Sequence, residues 1–505
     1  MRTRLISIIV PAVLLLGMML PLRGGFTDDG FIHIQYARNL ATRGEYSFNP
    51  GDVSFGTTSP LWVMTLAAIG KFFHDGDALI TVSRVLSWMG GFAALVVFYA
   101  LVLAVGGRRL TALLATAVFA CDAWFARWTA LGMETSVAVL AVLLVGLASV
   151  RAWEDRRSAA FLGLAMALGS LVRPELYLAF PVYLFALLME RRRVEKRCPW
   201  ATIAVAAALL VPWLVFARVY IGDFVPSTAG AKSGGVVNDP LVFLRKFSPV
   251  VTIVASTQAL TSLAALASLA VYRRRSRLLA RPFRFMLPWV VALPVAYVAF
   301  DMQVLSRYLL LVTPFVCVFG WIAIEELLGG LGGGVLATRG GKASAVVLAL
   351  AMIAVNVGFY VRVVLPPSRE FSYDLTHNMR QIAEYVRDHS DPDAVVAAAD
   401  IGYLAFYSER RVLDLGGLVE PETGTLRERF TYEEIVERGL YLELPGYPRV
   451  DFFIDRELVP DRFDGKVLRG FSFTRVFGTV VRNLGIRKPG PYHYVLYRLT
   501  PQGAE

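Results

Sequence analysis

The chain has 505 residues, 56% of them hydrophobic and 18% charged, with a mean hydropathy of +0.54. A water-soluble domain of this size does not reach that value, so disordered, collagen-like and soluble all-β classes are excluded. The formal charge is +11, yet residues 366–505 carry 18 Lys/Arg against 22 Asp/Glu, net −4, which leaves +15 for the rest. No basic run is interleaved with exposed aromatics, so the excess points to orientation in a bilayer, with membrane lipids as partners and no nucleic acid.

In chain order, Arg2 and Arg4 precede an apolar stretch over 5–22. No small-residue cleavage site precedes Arg23, so the stretch reads as a first transmembrane helix rather than a signal peptide. Further apolar blocks follow at 82–105, 110–127, 135–150, 159–172, 176–189, 201–221, 250–271, 285–300, 304–324 and 345–365. The expected fold is therefore an α-helical polytopic membrane protein of about eleven transmembrane helices. With the N-terminus in the cytoplasm, the inside connections (1–4, 106–109, 151–159, 190–197, 272–284 and 325–342) carry 20 Lys/Arg and the outside loops about nine. This orientation requires 60–73 to be an interfacial or re-entrant helix, because it is too short and too polar at its end to span easily. Gly329 to Gly334 reads as a flexible inside loop. Cys121, Cys198 and Cys317 are far apart and form no CxxC pair or disulfide framework.

Pro366-Pro367 marks a change of character. Beyond it, 372–389 reads as an amphipathic helix and 394–398, 411–415, 450–454 and 494–499 as strands, a small α/β domain outside the membrane. The expected division is a transmembrane catalytic domain over 1–365, with its first extracytoplasmic loop at 23–81, and an extracytoplasmic domain over 366–505.

The most informative segment follows the first span. Thr27 is placed to cap a helix whose first turn holds Asp28 and Asp29, with Phe31, Ile34, Ala37 and Ala41 on one face. Read alone, the two acids need do no more than favour the helix dipole in solvent. They have company: Glu134, Arg173, Glu175, Lys232, Arg307 and Tyr308 also fall at the outer ends of spans. Ionisable groups at such depth tend to face a polar cavity or a partner. Arg173, Lys232 and Arg307 together could hold a phosphate, or each could be a snorkelling anchor, with Arg173 simply paired to Glu175. His33, one turn beyond Asp29, either extends a polar site or is a hydrogen-bonded structural residue. Five histidines with no His/Cys cluster give no conventional metal site, while two aspartates leave a divalent cation bound through oxygen open. Trp62, Trp124 and Trp128 suit either stacking on substrate or an interfacial aromatic belt. Asp400 and Asp414 read as strand-end turn residues.

The runs Asp28-Asp29-Gly30-Phe31-Ile32, Tyr36-Ala37-Arg38-Asn39-Leu40, Phe48-Asn49-Pro50-Gly51 and Thr58-Ser59-Pro60-Leu61-Trp62 resemble the GT-C superfamily of integral-membrane glycosyltransferases. The later pieces Gly132-Met133-Glu134-Thr135, Arg173-Pro174-Glu175, Pro226-Ser227-Thr228-Ala229-Gly230-Ala231-Lys232 and Ser306-Arg307-Tyr308-Leu309-Leu310 add to the likeness. Within the superfamily, the chain is most similar to bacterial terminal arabinofuranosyltransferase (AftB-like) enzymes, and its tail segments 399–403 and 414–418 resemble their extracytoplasmic domain. The resemblance implies a polyprenyl-phosphate-linked sugar as donor, an active site at the outer face of the bacterial inner membrane, and inverting transfer to a hydroxyl of a glycan, lipid or protein acceptor. It implies an acid of the first loop as base, here Asp28 or Asp29, and makes His33, Tyr36, Arg38, Thr58, Trp62, Glu134, Glu175 and Tyr308 candidate substrate contacts. Related sequences often carry an acid before the Thr-Ser-Pro-Leu-Trp element, where this chain has Val53-Ser54-Phe55-Gly56, so sugar and acceptor identity do not transfer.

The chemistry agrees with the residues. An alcohol attacking an anomeric carbon needs a carboxylate to take its proton, and a departing lipid phosphate needs cationic or hydrogen-bonding stabilisation. The competing classes are a transporter or lipid flippase lined by the same groups, and a non-catalytic assembly subunit that binds glycan. The first is disfavoured by polar groups gathered at one face; the second predicts that Asp28 and Asp29 are dispensable.

Overall fold

The computed structural model describes residues 2–73, 76–152, 155–189, 200–224, 226–227, 234–329, 338–486 and 489–502. Lys232, Cys198, the basic loop at 190–197 and all of the glycine run after Gly329 lie outside the described residues. The chain forms two compact units, one over 1–23, 85–213 and 233–365, the other over 24–84, 214–232 and 366–505.

The first unit is helical. Across the described residues of the whole chain, five helices are long and apolar enough to cross a membrane: Gly76–Ala104, Trp200–Ile221, Pro240–Arg275, Arg281–Ala299 and Arg339–Asp388. The pair Arg109–Ala120 and Ala123–Ala130, bent by 60°, makes a sixth if counted as one span. Shorter apolar helices are Ile8–Leu22, Pro60–Gly70, Thr135–Arg151 and Pro174–Leu188. Helix Pro60–Gly70 has 11 residues, about 16 Å of rise, well short of a hydrocarbon core of about 30 Å.

Two of the expected spans are corrected. The block at 110–127 is a broken helix, because Asp122 turns from continuing the first segment to capping the second: its Oδ1 accepts the Trp124 and Phe125 N–H groups at 3.0 and 3.1 Å. Its Oδ2 accepts Gln258 Nε2–H at 2.9 Å, and Gln258 is itself the non-helical point inside Pro240–Tyr272. Each break supplies the polar group that satisfies the other, as a buried acid among apolar helices requires. The block at 304–324 opens with a short turn, Ser306–Leu309, before helix Thr313–Gly329. That helix crosses Pro240–Tyr272 closely: a Cβ on Gly320 would sit 2.3 Å from Thr261 Cβ, so only a glycine admits this approach.

One end of this unit is fastened by Glu325 and Glu326, 3% and 1% exposed. Glu325 accepts from the Arg108 N–H (3.0 Å), Thr111 Oγ1 (2.5 Å) and Arg277 Nη1 (3.0 Å). Glu326 accepts from Ser268 Oγ (2.6 Å), Ser276 Oγ (3.2 Å) and the Arg277 N–H (3.0 Å). Three connections that the charge pattern assigns to one side, 106–109, 272–284 and the start of 325–342, thus meet at one end of the helices.

The second unit is built on a six-stranded sheet in the order β2-β1-β3-β6-β5-β4. The strands are β1 Val395–Ala398, β2 Arg411–Asp414, β3 Phe452–Glu457, β4 Val467–Leu468, β5 Phe471–Asn483 and β6 Pro489–Pro501. β1 is parallel to β2 and β3, while β6 is antiparallel to β3 and β5. Val395, Ala397, Leu413, Phe453, Phe473 and Tyr497 form its apolar core with Ile435 and Tyr441.

The first-loop motifs belong to this same body. Asn49 hydrogen-bonds both main-chain groups of Val412, donating to its carbonyl at 2.9 Å and accepting its N–H at 3.0 Å. The loop thereby closes the outer edge of β2, which would otherwise present unpaired groups. Asp374, buried in the helical run before β1, holds β5 through the Arg482 N–H at 2.7 Å and Nη2 at 2.9 Å.

Replacing Glu325 or Glu326 by Ala strands several donors and should cost about 3 kcal/mol each. Thermal melting of detergent-solubilised protein checks this; unchanged melting in both variants would show the fastening to be dispensable.

Candidate active site

The second unit holds the acid pair. Thr27 caps helix Asp28–Arg43, its Oγ1 accepting the Gly30 N–H at 3.2 Å, and Gly44 ends it at φ 74°. Asp28 and Asp29, both half-buried, occupy the first turn. Asp28 does more than favour the helix dipole: its Oδ2 accepts the Gly402 N–H at 3.2 Å and its Oδ1 the Tyr403 N–H at 2.9 Å. Burial, followed by the negative charge of Asp400, pushes the Asp28 carboxyl up to about 8, against the lowering effect of the two N–H groups.

The rest of the helix is committed to structure. His33 is buried, and its Nδ1 meets Thr57 Oγ1 at 2.8 Å. Tyr36, fully buried, bonds Ser54 Oγ at 2.7 Å and accepts the Gly56 N–H at 2.8 Å. Arg38 donates to the carbonyls of Phe406 and Ala405 at 3.2 and 3.4 Å, at the C-terminal end of helix Gly402–Ser408, where a cation is favoured. Tyr36 and Arg38, expected as substrate contacts, thus have polar partners within the chain itself. Thr58 is half-buried just before helix Pro60–Gly70. Trp62 is buried and its Nε1–H has no hydrogen-bond partner among the described residues.

The first unit holds the basic groups. Arg173, 8% exposed, lies between two carboxylates, donating from Nη1 to Glu134 at 2.9 Å and from Nε and Nη2 to Glu175 at 3.0 and 2.5 Å. Tyr297 Oη also donates to Glu175, at 3.0 Å. Arg173, a candidate phosphate holder from the sequence, is thus paired with Glu175, as the sequence also allowed, and with Glu134.

Arg307 is placed differently. Its guanidinium lies over the rings of Trp128 and Tyr308, at 5.4 and 5.1 Å, and Trp128 Nε1 donates to Ser306 Oγ at 3.0 Å. Arg127, missed from sequence, stacks on the same Trp128 ring at 4.3 Å and is as buried as Arg307, 8% against 7%. Two guanidiniums sharing one indole repel each other, and an anion would relieve that repulsion. The signal was present: an arginine inside an apolar run, between Trp124 and Trp128, and not in a basic loop.

Asp400, read from the sequence as a turn residue, is bonded by Arg456 and Tyr494, which sequence reasoning passed over along with Tyr403. Asp414 is the turn residue expected, its carboxylate accepting the N–H groups of Gly416, Leu418 and Val419. No three His, Cys, Asp or Glu side chains gather closely enough to hold a metal ion among the described residues. At Asp28, the two oxygens face N–H donors.

Residues 59–216 match the model of the dolichyl-phosphate-mannose-protein mannosyltransferase family, and residues 370–497 a domain family of unknown function, DUF8728. No curated protein matches the chain in sequence. Among solved structures, ArnT from Cupriavidus metallidurans bound to undecaprenyl phosphate is similar over 97% of both chains, at 14% identity and a TM-score of 0.57. The archaeal oligosaccharyltransferase AglB from Archaeoglobus fulgidus, in complex with an inhibitory peptide and a dolichol-phosphate, is similar over 90% of this chain and 69% of its own, at 14% identity and a TM-score of 0.62. The chain therefore has the GT-C fold.

Arg173→Gln should cost about 3–5 kcal/mol by stranding Glu134 and Glu175, and adding Glu134→Gln should recover part of the loss. Melting of the single and double variants reads the coupling; strictly additive losses would contradict the triad.

Proposed function

We propose that the chain is a glycosyltransferase that moves a sugar from a polyprenyl-phosphate donor to a hydroxyl of a cell-envelope glycan, lipid or protein, with inversion, at the outer face of the bacterial inner membrane. The 366–505 domain is then extracytoplasmic. The observation that carries this reading is the half-buried acid pair at the start of the first-loop helix, with Asp28 pushed up to about 8, in a chain with the GT-C fold. A carboxylate of raised basicity suits the removal of an alcohol proton near neutral pH.

In the proposed reaction, Asp28 or Asp29 takes the proton of the acceptor hydroxyl as its oxygen bonds to the anomeric carbon from the face opposite the phosphate. The bond from that carbon to the phosphate oxygen breaks and its electron pair leaves with polyprenyl phosphate. A cationic side chain stabilises the charge that develops on the phosphate, the candidates being Arg173, Lys232 and Arg307 from the sequence and Arg127, which shares the Trp128 ring with Arg307. One displacement inverts the anomeric centre, and a phosphate leaving group needs no second carboxylate as acid, unlike glycoside hydrolysis. Trp62 and Tyr308 are the aromatic candidates for sugar or prenyl contact. The first-loop motif favours the terminal arabinofuranosyltransferase-like group. A divalent cation, if required, would come to Asp29 and the substrate phosphate.

A second reading, a transporter or flippase, draws on the broken helix at Asp122, a feature such proteins share. Purified protein incubated with labelled polyprenyl-phosphate sugars and envelope glycans separates the two. The transferase reading expects transfer, a loss of 10²-fold or more in whichever of Asp28→Asn and Asp29→Asn removes the base, and a weaker loss in Arg127→Gln and Arg307→Gln, all in protein that still folds; an EDTA arm reads metal dependence. Transport in proteoliposomes that survives both Asn variants, with no transfer from any donor, would favour the second reading.

A further inference from the structure

The turn that follows β1 is built around the first-loop acid. Asp400 is held by two cross-strand neighbours, since the β3–β6 register sets Arg456 opposite Tyr494. Arg456 Nη1 donates to both Asp400 oxygens, at 3.0 and 2.9 Å, and Tyr494 Oη donates to Oδ2 at 2.6 Å. Two residues on, Gly402 passes so close to the first loop that a Cβ there would lie 2.1 Å from the Asp28 carbonyl oxygen and 2.9 Å from its Oδ1. No other residue type permits that approach. Tyr403 adds the second N–H, and its own hydroxyl is fully buried with no hydrogen-bond partner among the described residues. A buried hydroxyl without a partner is the kind of local cost that folds accept at working sites.

We infer that the sheet domain is part of the acid site: Gly402 and Tyr403 grip the Asp28 carboxylate, and Asp400, fixed by Arg456 and Tyr494 two residues before Gly402, is the positioning residue of that turn. This rests on the transferase reading of Asp28. It gives a role to a strand-end acid that sequence alone assigns to a turn, and it places that role at the carboxyl end of a parallel strand, where open sheets present functional groups.

The titratable groups acting on Asp28 are Asp29 on its own helix and, from the turn after β1, Asp400 and Tyr403. Arg456 reaches Asp400, and Arg38 with Glu409 serves the far part of the helix. The sign of the coupling follows. An Asp28 that keeps its proton to about 8 in the fold but loses it near 3.8 when unfolded makes stability fall as pH rises between those values. Removing the Asp400 charge makes Asp28 more acidic and closes that window from its alkaline end. Removing the Tyr494 hydroxyl leaves the Asp400 charge less compensated and acts in the opposite sense.

The test compares full-length wild type, Asp28→Asn, Asp400→Asn and Tyr494→Phe in detergent, by melting from pH 5 to 9 and by the pH profile of sugar transfer. Melting of wild type should decline with pH relative to Asp28→Asn. In Asp400→Asn that decline should end roughly one pH unit lower, and the acid limb of transfer should move down with it; in Tyr494→Phe both should move up. Coincident melting and pH profiles in wild type, Asp400→Asn and Tyr494→Phe would overturn the inference. If no donor supports transfer, the function falls, but the melting series still decides the coupling. Should Asp400→Asn fail to fold, the upward displacement in Tyr494→Phe decides it, and its absence overturns the inference.

Discussion

In a chain that is mostly apolar, every ionisable group taken out of water must find an opposite charge or a set of hydrogen bonds, because an uncompensated charge in such surroundings costs more than most folds can absorb. That constraint organises the molecule. Glu325 and Glu326 collect N–H, hydroxyl and guanidinium donors at one end of the helical unit. Asp122 pairs a helix break with the kink at Gln258. Glu134 and Glu175 share Arg173. Asp28 differs from these: among the described residues its compensation is two backbone N–H groups, and with the Asp400 charge acting on it its proton affinity stays high.

The contrast separates residues that hold the fold from residues poised for chemistry. A carboxylate locked to an arginine is a poor base, since its proton affinity is spent, whereas one that is buried and flanked by another acid has affinity in hand. The same logic applies to the cations. Arg173 is matched by two acids, and Arg127 and Arg307 both lie over the Trp128 indole.

Much of this was legible in the sequence, for identifiable reasons. Thr27, Asp28 and Asp29 announce a capped helix through residue type and spacing alone, and the cap forms as expected. The four expected strands correspond to β1, β2, β3 and part of β6, each carrying a compact apolar run. β5 was not legible, because Phe471–Asn483 mixes Arg475, Arg482 and Asn483 among its apolar residues and sits partly exposed in a long hairpin. Helix Gly402–Ser408 was hidden by its length of seven residues. Long-range pairings were out of reach: nothing local says that Asn49 closes the edge of β2 or that Gly402 lies against Asp28, since both depend on segments more than 350 residues apart. The partners of Arg38 were out of reach in the same way, since it donates to the distant carbonyls of Phe406 and Ala405. Arg127 was legible in principle but was read as the end of a span, a position at which arginines are common.

In the proposed reaction, a single displacement on a lipid-linked sugar inverts the anomeric centre. This inversion is tested most directly by supplying wild-type protein with a polyprenyl-phosphate sugar of known anomeric configuration and determining, by NMR of the product, the configuration of the new glycosidic bond. The expected product has the opposite configuration, with one polyprenyl phosphate released per sugar transferred. A retained configuration, or a donor recovered intact on the other side of a proteoliposome membrane, would contradict it.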